Sequence, residues 1–326
     1  MDRELALEVV RVTEGAALAA AGWLGRGNKI MADDAATNAM RLVFDSINMQ
    51  GKVVIGEGEM DEAPMLYIGE KLGTGQGIEV DIAVDPLEGT NIVAKGYGNA
   101  ITVLAIADKG NLLHAPDMYM EKLAVGPLAA GKVSINDPIE KTIEIVADAT
   151  NKRIQDLTVM VLERDRHNDM MERIRKKGAR VKMFSDNDIS AAVATALPNT
   201  GVDLFVGIGG APEGVIAAAG LKCLGGEMQG RLLPENTEEF NRCIKMGITN
   251  PNEALQLEDL VAGDDAIFAA TGVSSGDILK EVRFLGGDLA ETDSIVMRAK
   301  TKTVRFIKTI HHLEQKPYHM KLQSTI

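Results

Sequence analysis

The chain has 326 residues, 45% apolar and 25% charged, an ordinary globular composition that fills a large core and leaves room for two domains. A formal charge of −12 with only 4% aromatic residues argues against a nucleic-acid surface, which needs a basic stripe and stacking rings. No apolar run reaches the roughly 18 residues of a membrane span, and "MDRELALEVV" lacks a signal-peptide pattern, so no membrane association and a cytoplasmic location are expected.

Residues 3–24 are rich in Ala and Leu at helical spacing and end at Gly25 and Gly27, which predicts an opening amphipathic helix. A second helix is expected over "DDAATNAMRLVFDSI", with Asp33 and Asp34 in its first turn. "KVVIGEGEMDEAP" reads as a strand running into a glycine-broken acidic loop, and "IEVDIAV" as the next strand. "NAITVLAIADKGNLL" predicts a hairpin turned at Asp108, Lys109 and Gly110, and "KLAVGP" adds a strand.

From about Asn136 helical and strand patterns alternate. Strands "LTVMVLE", "VKMFS" and "VDLFVGIGG" are interleaved with helices "DPIEKTIEIVADATN", "NDMMERIRKKG", "ISAAVATAL" and "PEGVIAAAGLKCLGG". Such alternation marks βαβ units and a largely parallel sheet. The expected fold class is therefore α/β, an α+β part over residues 1–136 followed by an α/β part over 137–326. The tail "SIVMRAKTKTVRFIKTI" is β-like, and its pattern assigns it to neither part. Cys223 and Cys243 form no C-x-x-C pair and read as reduced thiols.

Acids collect where strands stop. "IEVDIAV" runs into Asp85, Pro86, Leu87, Glu88, Gly89 and Thr90, which puts Asp85 at the rim of a sheet, where ligand sites are commonly built. Pro86 fixes the chain direction, Gly89 permits close backbone approach, and Gly89 with Thr90 can open a helix whose free amides face an anion. Asp33, Glu57, Glu59 and Asp61 offer further oxygen donors. Clustered carboxylates repel one another and stay ionised only beside positive charge. Oxygen-only donors point to Mg²⁺ or Mn²⁺ rather than zinc, and such ions would reconcile an acidic chain with a phosphate ligand. The alternative is that these acids are solvated turn residues.

"VDLFVGIGGAPEGV" fails as a dinucleotide fingerprint, since the third glycine of G-x-G-x-x-G falls at Pro212. Pro212 suits a first helical turn, and Glu213 beside it is favoured at the positive helix end.

Taken together, "GEGEMDEAPMLYIGEKLG", "VDPLEGTN", "APDMYMEKLAVGP", "GGAPEGV", "KCLGGEMQGRL" and "FAATGV" resemble the bacterial class II fructose-1,6-bisphosphatases, members of the lithium-sensitive, metal-dependent sugar phosphatase superfamily. The resemblance runs from about residue 3 to residue 310. Glu88 stands where inositol phosphatases carry Asp, the form seen in class II.

The resemblance implies a layered α-β-α-β-α fold and hydrolysis of the 1-phosphate of fructose 1,6-bisphosphate in gluconeogenesis. It implies Mn²⁺ or Mg²⁺ held by Asp33, Glu57, Asp85, Glu88 and Glu213, with Glu213 reaching across from the second domain. Lys29 and Asp61 are implied near the reacting phosphate, and Thr90 at the attacking water. Glu88, Gly89 and Thr90 are also implied in substrate binding. Tyr119, the Arg164, Asp165 and Arg166 run, the Asp186, Asn187 and Asp188 run, and Gly210 are implied to hold the sugar and its second phosphate. Guanidinium forks suit phosphate, and carboxylates accept from sugar hydroxyls. Singly, the arginines equally fit a solvated helix start, Tyr119 a packed aromatic and Asp186 a helix cap. The implied partner is a small sugar bisphosphate, with a homo-oligomer as the expected assembly. Activity on sedoheptulose 1,7-bisphosphate, or on inositol phosphates, is the alternative within the superfamily.

Overall fold

The structure, a computed structural model, describes residues 1, 4–58 and 65–316. Glu59 and Asp61 lie outside the described residues. The chain divides into two compact units, one of Met1–Leu112 with the segment from Asp265 onward, the other Leu113–Asp264.

The first unit begins with helices α1 (Leu5–Ala21) and α2 (Lys29–Phe44), followed by strands β1 (Gln50–Ile55), β2 (Lys71–Leu72) and β3 (Glu79–Glu88), helix α3 (Thr90–Lys95) and strand β4 (Ile101–Asp108). The second unit runs β5 (Tyr119–Val125), α4 (Ile139–Thr150), β6 (Thr158–Leu162), α5 (Asn168–Lys177), β7 (Arg180–Phe184), α6 (Asp188–Ala194), β8 (Leu204–Gly210), α7 (Ala211–Leu224), β9 (Glu227–Leu232), α8 (Thr237–Lys245) and α9 (Leu257–Leu260). The chain then re-enters the first unit with β10 (Ala266–Gly272), β11 (Arg283–Gly286), β12 (Leu289–Arg298) and β13 (Thr303–His312). Both sheets are mixed and carry helices, so the chain is of the α/β class.

In the first unit the strand order is β11-β12-β10-β4-β3-β1-β2, with β13 also on β12. Val9, Val12, Ala16 and Leu18 of α1 and Ala36, Met40 and Val43 of α2 share one core with Ile82, Val84, Leu104, Ile106, Ile267 and Val296 of the sheet. Alanines at 16, 17 and 20 on α1 bring it close to its neighbours without side-chain ordering cost. Parallel pairing of β1 with β3 puts the ends of both strands, and hence Glu57 and Asp85, on one edge.

The second unit has the order β7-β6-β8-β5-β9. Leu123 and Val125 on one face of β5 share a core with Ile143 and Val146 of α4 and Ile174 of α5. Met120, Lys122 and Ala124 alternate to the other face, toward α6 and α7.

Three sequence expectations are changed, and one point the sequence left open is settled. The hairpin at Asp108 does not form, because β4 pairs with β3 and β10 and the chain leaves the sheet after Gly110, with the Leu113 N–H donating to the Leu260 carbonyl. The division near residue 136 differs from the observed unit, which begins at Leu113 because β5 pairs with β8 and β9. The second sheet is mixed rather than largely parallel, since β5 is antiparallel to both neighbours. The C-terminal β segment joins the first unit, β12 and β13 forming a ladder from Arg298↔Thr303 to Leu289↔His312. Alternation along a strand records its two faces and not its partners, so each of these depended on contacts distant in sequence.

Candidate active site

The end of β3 is where the first unit's acids gather. Pairing of β3 with β4 slips between Asp85 and Glu88, so Pro86 and Leu87 bulge out of the ladder, a position that tolerates the missing proline N–H. The Leu87 N–H donates to Asp85 Oδ1 at 3.0 Å, which fixes that carboxylate above the turn. Carboxylate oxygens of Asp85 and Glu88 come within 4.8 Å of one another. Gly89 then adopts φ +101°, a conformation that favours glycine, and Thr90 opens α3 half-buried.

Two other elements bring acids to the same edge. Glu57 follows β1, where a Cβ on Gly56 would lie 1.9 Å from the Leu66 carbonyl oxygen. Glycine at 56 thus lets Leu66 approach closely, and the Glu57 N–H donates to the Leu66 carbonyl at 3.0 Å. Asp33 sits one turn into α2, four residues after the exposed Lys29, on the same helix face. Burial, followed by repulsion from Asp85 and Asp34, pushes the Asp33 carboxyl up to about 6. Burial, followed by repulsion from Asp85, Asp33 and Asp34, pushes Glu57 up to about 8. Partly buried carboxylates that also repel one another have the chemistry a cation site needs, because a divalent ion offsets both the burial and the repulsion that favour their protonated forms. The donors are all hard oxygens.

In the second unit one end of the sheet collects the remaining candidates. Parallel β6, β7 and β8 end there at the turns holding Arg164–Arg166, Asp186–Asp188 and Gly210, and antiparallel β5 begins there at Tyr119, opposite Gly210. Arg164 Nη1 donates to the Glu163 and Ser185 carbonyls at 2.8 and 3.0 Å, tying two of those turns together. The Arg166 guanidinium lies 4.8 Å from the centre of the exposed Tyr119 ring and donates to the Ile208 carbonyl at 2.7 Å. Asp165 is exposed on the same turn.

Asn187, rather than Asp186, caps α6, its Oδ1 accepting from the Ser190 N–H at 2.8 Å with a left-handed backbone at φ 82°. Burial holds the Asp186 carboxyl above its ordinary range. Glu213 stands in the first turn of α7 behind Pro212 and folds back over its own helix start, so that a Cβ on Gly210 would meet Glu213 Oε2 at 2.0 Å. One important group stands outside the candidate site residues of the sequence. Lys122 on β5 is buried and donates to Asp188 Oδ2 at 2.8 Å. A lysine inside the apolar strand "KLAV" was the available signal, since a fully buried lysine demands a partner.

The sequence matches known proteins across nearly the whole chain. The family described as bacterial fructose-1,6-bisphosphatase, glpX-encoded, matches residues 3–311. A class 2 fructose-1,6-bisphosphatase of Haemophilus influenzae is 49% identical, covering 96% of this chain and 98% of the relative. The fructose-1,6-bisphosphatase 1 class 2 of Escherichia coli is 47% identical, covering 99% of each chain. A Synechococcus protein named D-fructose 1,6-bisphosphatase class 2/sedoheptulose 1,7-bisphosphatase is also 47% identical, covering 99% of this chain and all of its own. With the acids, arginines and glycines of its two units arranged as described, the chain belongs to the family of bacterial class 2 fructose-1,6-bisphosphatases and is a phosphatase.

Proposed function

We propose that the chain hydrolyses the 1-phosphate of fructose 1,6-bisphosphate, releasing fructose 6-phosphate and inorganic phosphate, with divalent cations held by Asp33, Glu57, Asp85 and Glu88. The observation that carries this reading is the gathering of the partly buried, mutually repelling carboxylates of Asp33, Glu57 and Asp85 at one sheet edge of a chain of net charge −12, an arrangement whose charge divalent cations would offset. The donor set fits the ion class, since hard oxygens without His or Cys favour Mn²⁺ or Mg²⁺. Glu213 is assigned the same ligand role by the family resemblance. When bound, such ions supply charge neutralisation for the phosphoryl oxygens and for the leaving alkoxide.

The chain's own groups do the positioning. The Thr90 hydroxyl accepts from the attacking water and aims it at phosphorus in line with the C1 oxygen. Backbone amides at the Gly89 and Thr90 turn donate to the phosphoryl oxygens. Lys29 balances charge beside the transferring phosphoryl group, and Asp61, outside the described residues, is the second catalytic group that the resemblance implies near that phosphate. At the other end of the substrate, Arg164 and Arg166 grip the 6-phosphate, with Tyr119 packed beneath Arg166. Asp186, Asn187 and Asp188 and the Gly210 backbone meet the sugar hydroxyls.

A second reading adds sedoheptulose 1,7-bisphosphate as a substrate, favoured by the Synechococcus relative whose name includes both activities. Purified chain supplied with Mn²⁺ is to be assayed on both bisphosphates and on inositol phosphates, with the products identified. Release of fructose 6-phosphate supports the first reading, and release of fructose 1-phosphate or preference for inositol phosphates contradicts it. No described helix is long and apolar enough to cross a membrane. A cytoplasmic homo-oligomer inhibited by lithium and serving gluconeogenesis completes the proposal.

A further inference from the structure

His167 closes the arginine-bearing turn and is 1% exposed, although its neighbours Arg164–Arg166 face solvent. Its ring has two partners of opposite kind. Nδ1 lies 2.7 Å from the Leu162 carbonyl oxygen, which can only accept, and Nε2 accepts from the Ile208 N–H at 2.9 Å. The imidazole is therefore neutral with its proton on Nδ1. Burial, followed on the lowering side by the charges of Arg166 and Arg164, holds its pKa below the ordinary histidine range, against the opposing effects of the Leu162 bond and Asp188.

The ring occupies a particular slot in the sheet. Strands β6 and β8 are paired in parallel at Val159↔Leu204 and Met160↔Phe205. Continuing that register would bring the Ile208 N–H directly onto the Leu162 carbonyl. Instead the His167 ring stands between these two groups, replacing one ladder hydrogen bond with two and parting the strands by the width of an imidazole. Gly207 packs beside it, where a Cβ would stand in ordinary contact at 3.4 Å from His167 Cε1. The parted edge is where Arg166 crosses to β8, donating to the Ile208 carbonyl at 2.7 Å and lying over Tyr119. Ile208 is thus held through its N–H by His167 and through its carbonyl by the adjacent Arg166.

We propose that His167 is a positioning residue for substrate recognition, a wedge between β6 and β8 that seats Arg166 over Tyr119 for the non-reacting phosphate. This rests on the reading of the chain as a sugar-bisphosphate phosphatase. His167 touches no substrate and acts only through the arginine turn.

The test compares His167→Phe, which keeps a ring and loses both hydrogen bonds, with His167→Gln, whose amide can donate to Leu162 and accept from Ile208. In the Mn²⁺-supplied enzyme, His167→Phe is expected to raise the KM for fructose 1,6-bisphosphate about tenfold with kcat within about threefold. Competitive inhibition by fructose 6-phosphate should weaken in parallel, while inhibition by inorganic phosphate stays as in the wild type. His167→Gln should recover most of the loss. An unchanged KM in His167→Phe, equal weakening of both inhibitors, or a Gln variant no better than Phe would overturn the proposal. Should His167→Phe not fold, ¹⁵N NMR of the wild-type enzyme decides, because the wedge requires the Nδ1–H tautomer from pH 6 to 8 and the other tautomer rules it out. A wild-type chain inactive on the bisphosphate would instead sink the functional reading, leaving the tautomer result to judge the wedge.

Discussion

Lys122 Nζ donates to Asp188 Oδ2 across 2.8 Å in the interior of the second unit, where Lys122 is 1% exposed. Gly209 makes the pair possible, since a Cβ there would lie 1.8 Å from Asp188 Oδ2. Removing one partner strands the other charge away from water, a loss of about 3–5 kcal/mol in comparable buried pairs. Lys122→Met should lower the unfolding free energy by that order and raise KM as Asp188 turns away from the sugar. Lys122→Met with Asp188→Asn should restore much of the stability and none of the KM. Urea unfolding beside steady-state kinetics checks both.

The coupled acids set a pH dependence. Glu57 is pushed up to about 8 and Asp33 to about 6, so the ion-free fold favours their protonated forms. Their contribution to ion-free stability is therefore fully present below the ordinary carboxylate range and is lost as pH rises through 6 and 8. Ion binding must expel those protons, so Mn²⁺ affinity should climb over the same window and proton release on binding should shrink toward pH 8. Calorimetric titration with Mn²⁺ at pH 6, 7 and 8, in buffers of differing ionisation heat, measures both. A pH-independent affinity would contradict the coupling.

Gly210→Ala is expected to fold and yet fail. The backbone at Gly210 has φ −66°, which alanine adopts without strain, but the added methyl would meet Glu213 Oε2 at 2.0 Å. A side-chain tip moves more cheaply than backbone, so Glu213 should swing aside. The midpoint of thermal unfolding should shift by no more than a few degrees, while the Mn²⁺ concentration for half-maximal activity rises about tenfold. An unchanged metal requirement would remove Glu213 from the proposed ligand set.

Thr90→Val keeps the shape of the first residue of α3 and removes its hydroxyl. If that hydroxyl aims the attacking water, kcat should fall by about 10² to 10³ with little change in KM. Glu57→Gln should lose a similar factor. Circular dichroism spectra matching the wild type would separate these losses from unfolding, and near-normal turnover in either variant would refute its role.

The parts of the molecule legible in sequence are those written in short runs. Asp85 to Thr90 declared a strand end by abrupt loss of apolar alternation, and "GGAPEGV" declared a helix start through Pro212. Groups whose meaning depends on a distant partner were opaque. Lys122 and Asp188 are 66 residues apart, and His167 reaches Ile208 across 41. The bulge at Pro86 shows only in the pairing of β3 with β4, and the return of β10 to the first sheet depends on pairing with β4. Short-range pattern encodes faces and turns, whereas the choice of strand neighbours is settled by packing of the whole core.

The most direct measurement is phosphate release from fructose 1,6-bisphosphate by chain stripped of metal with a chelator and then supplied with Mn²⁺ or Mg²⁺. Negligible release before addition and rapid release after it, with fructose 6-phosphate as the sugar product, is the expected result. Release that persists undiminished in chelator, or none once the ions are restored, would contradict the account.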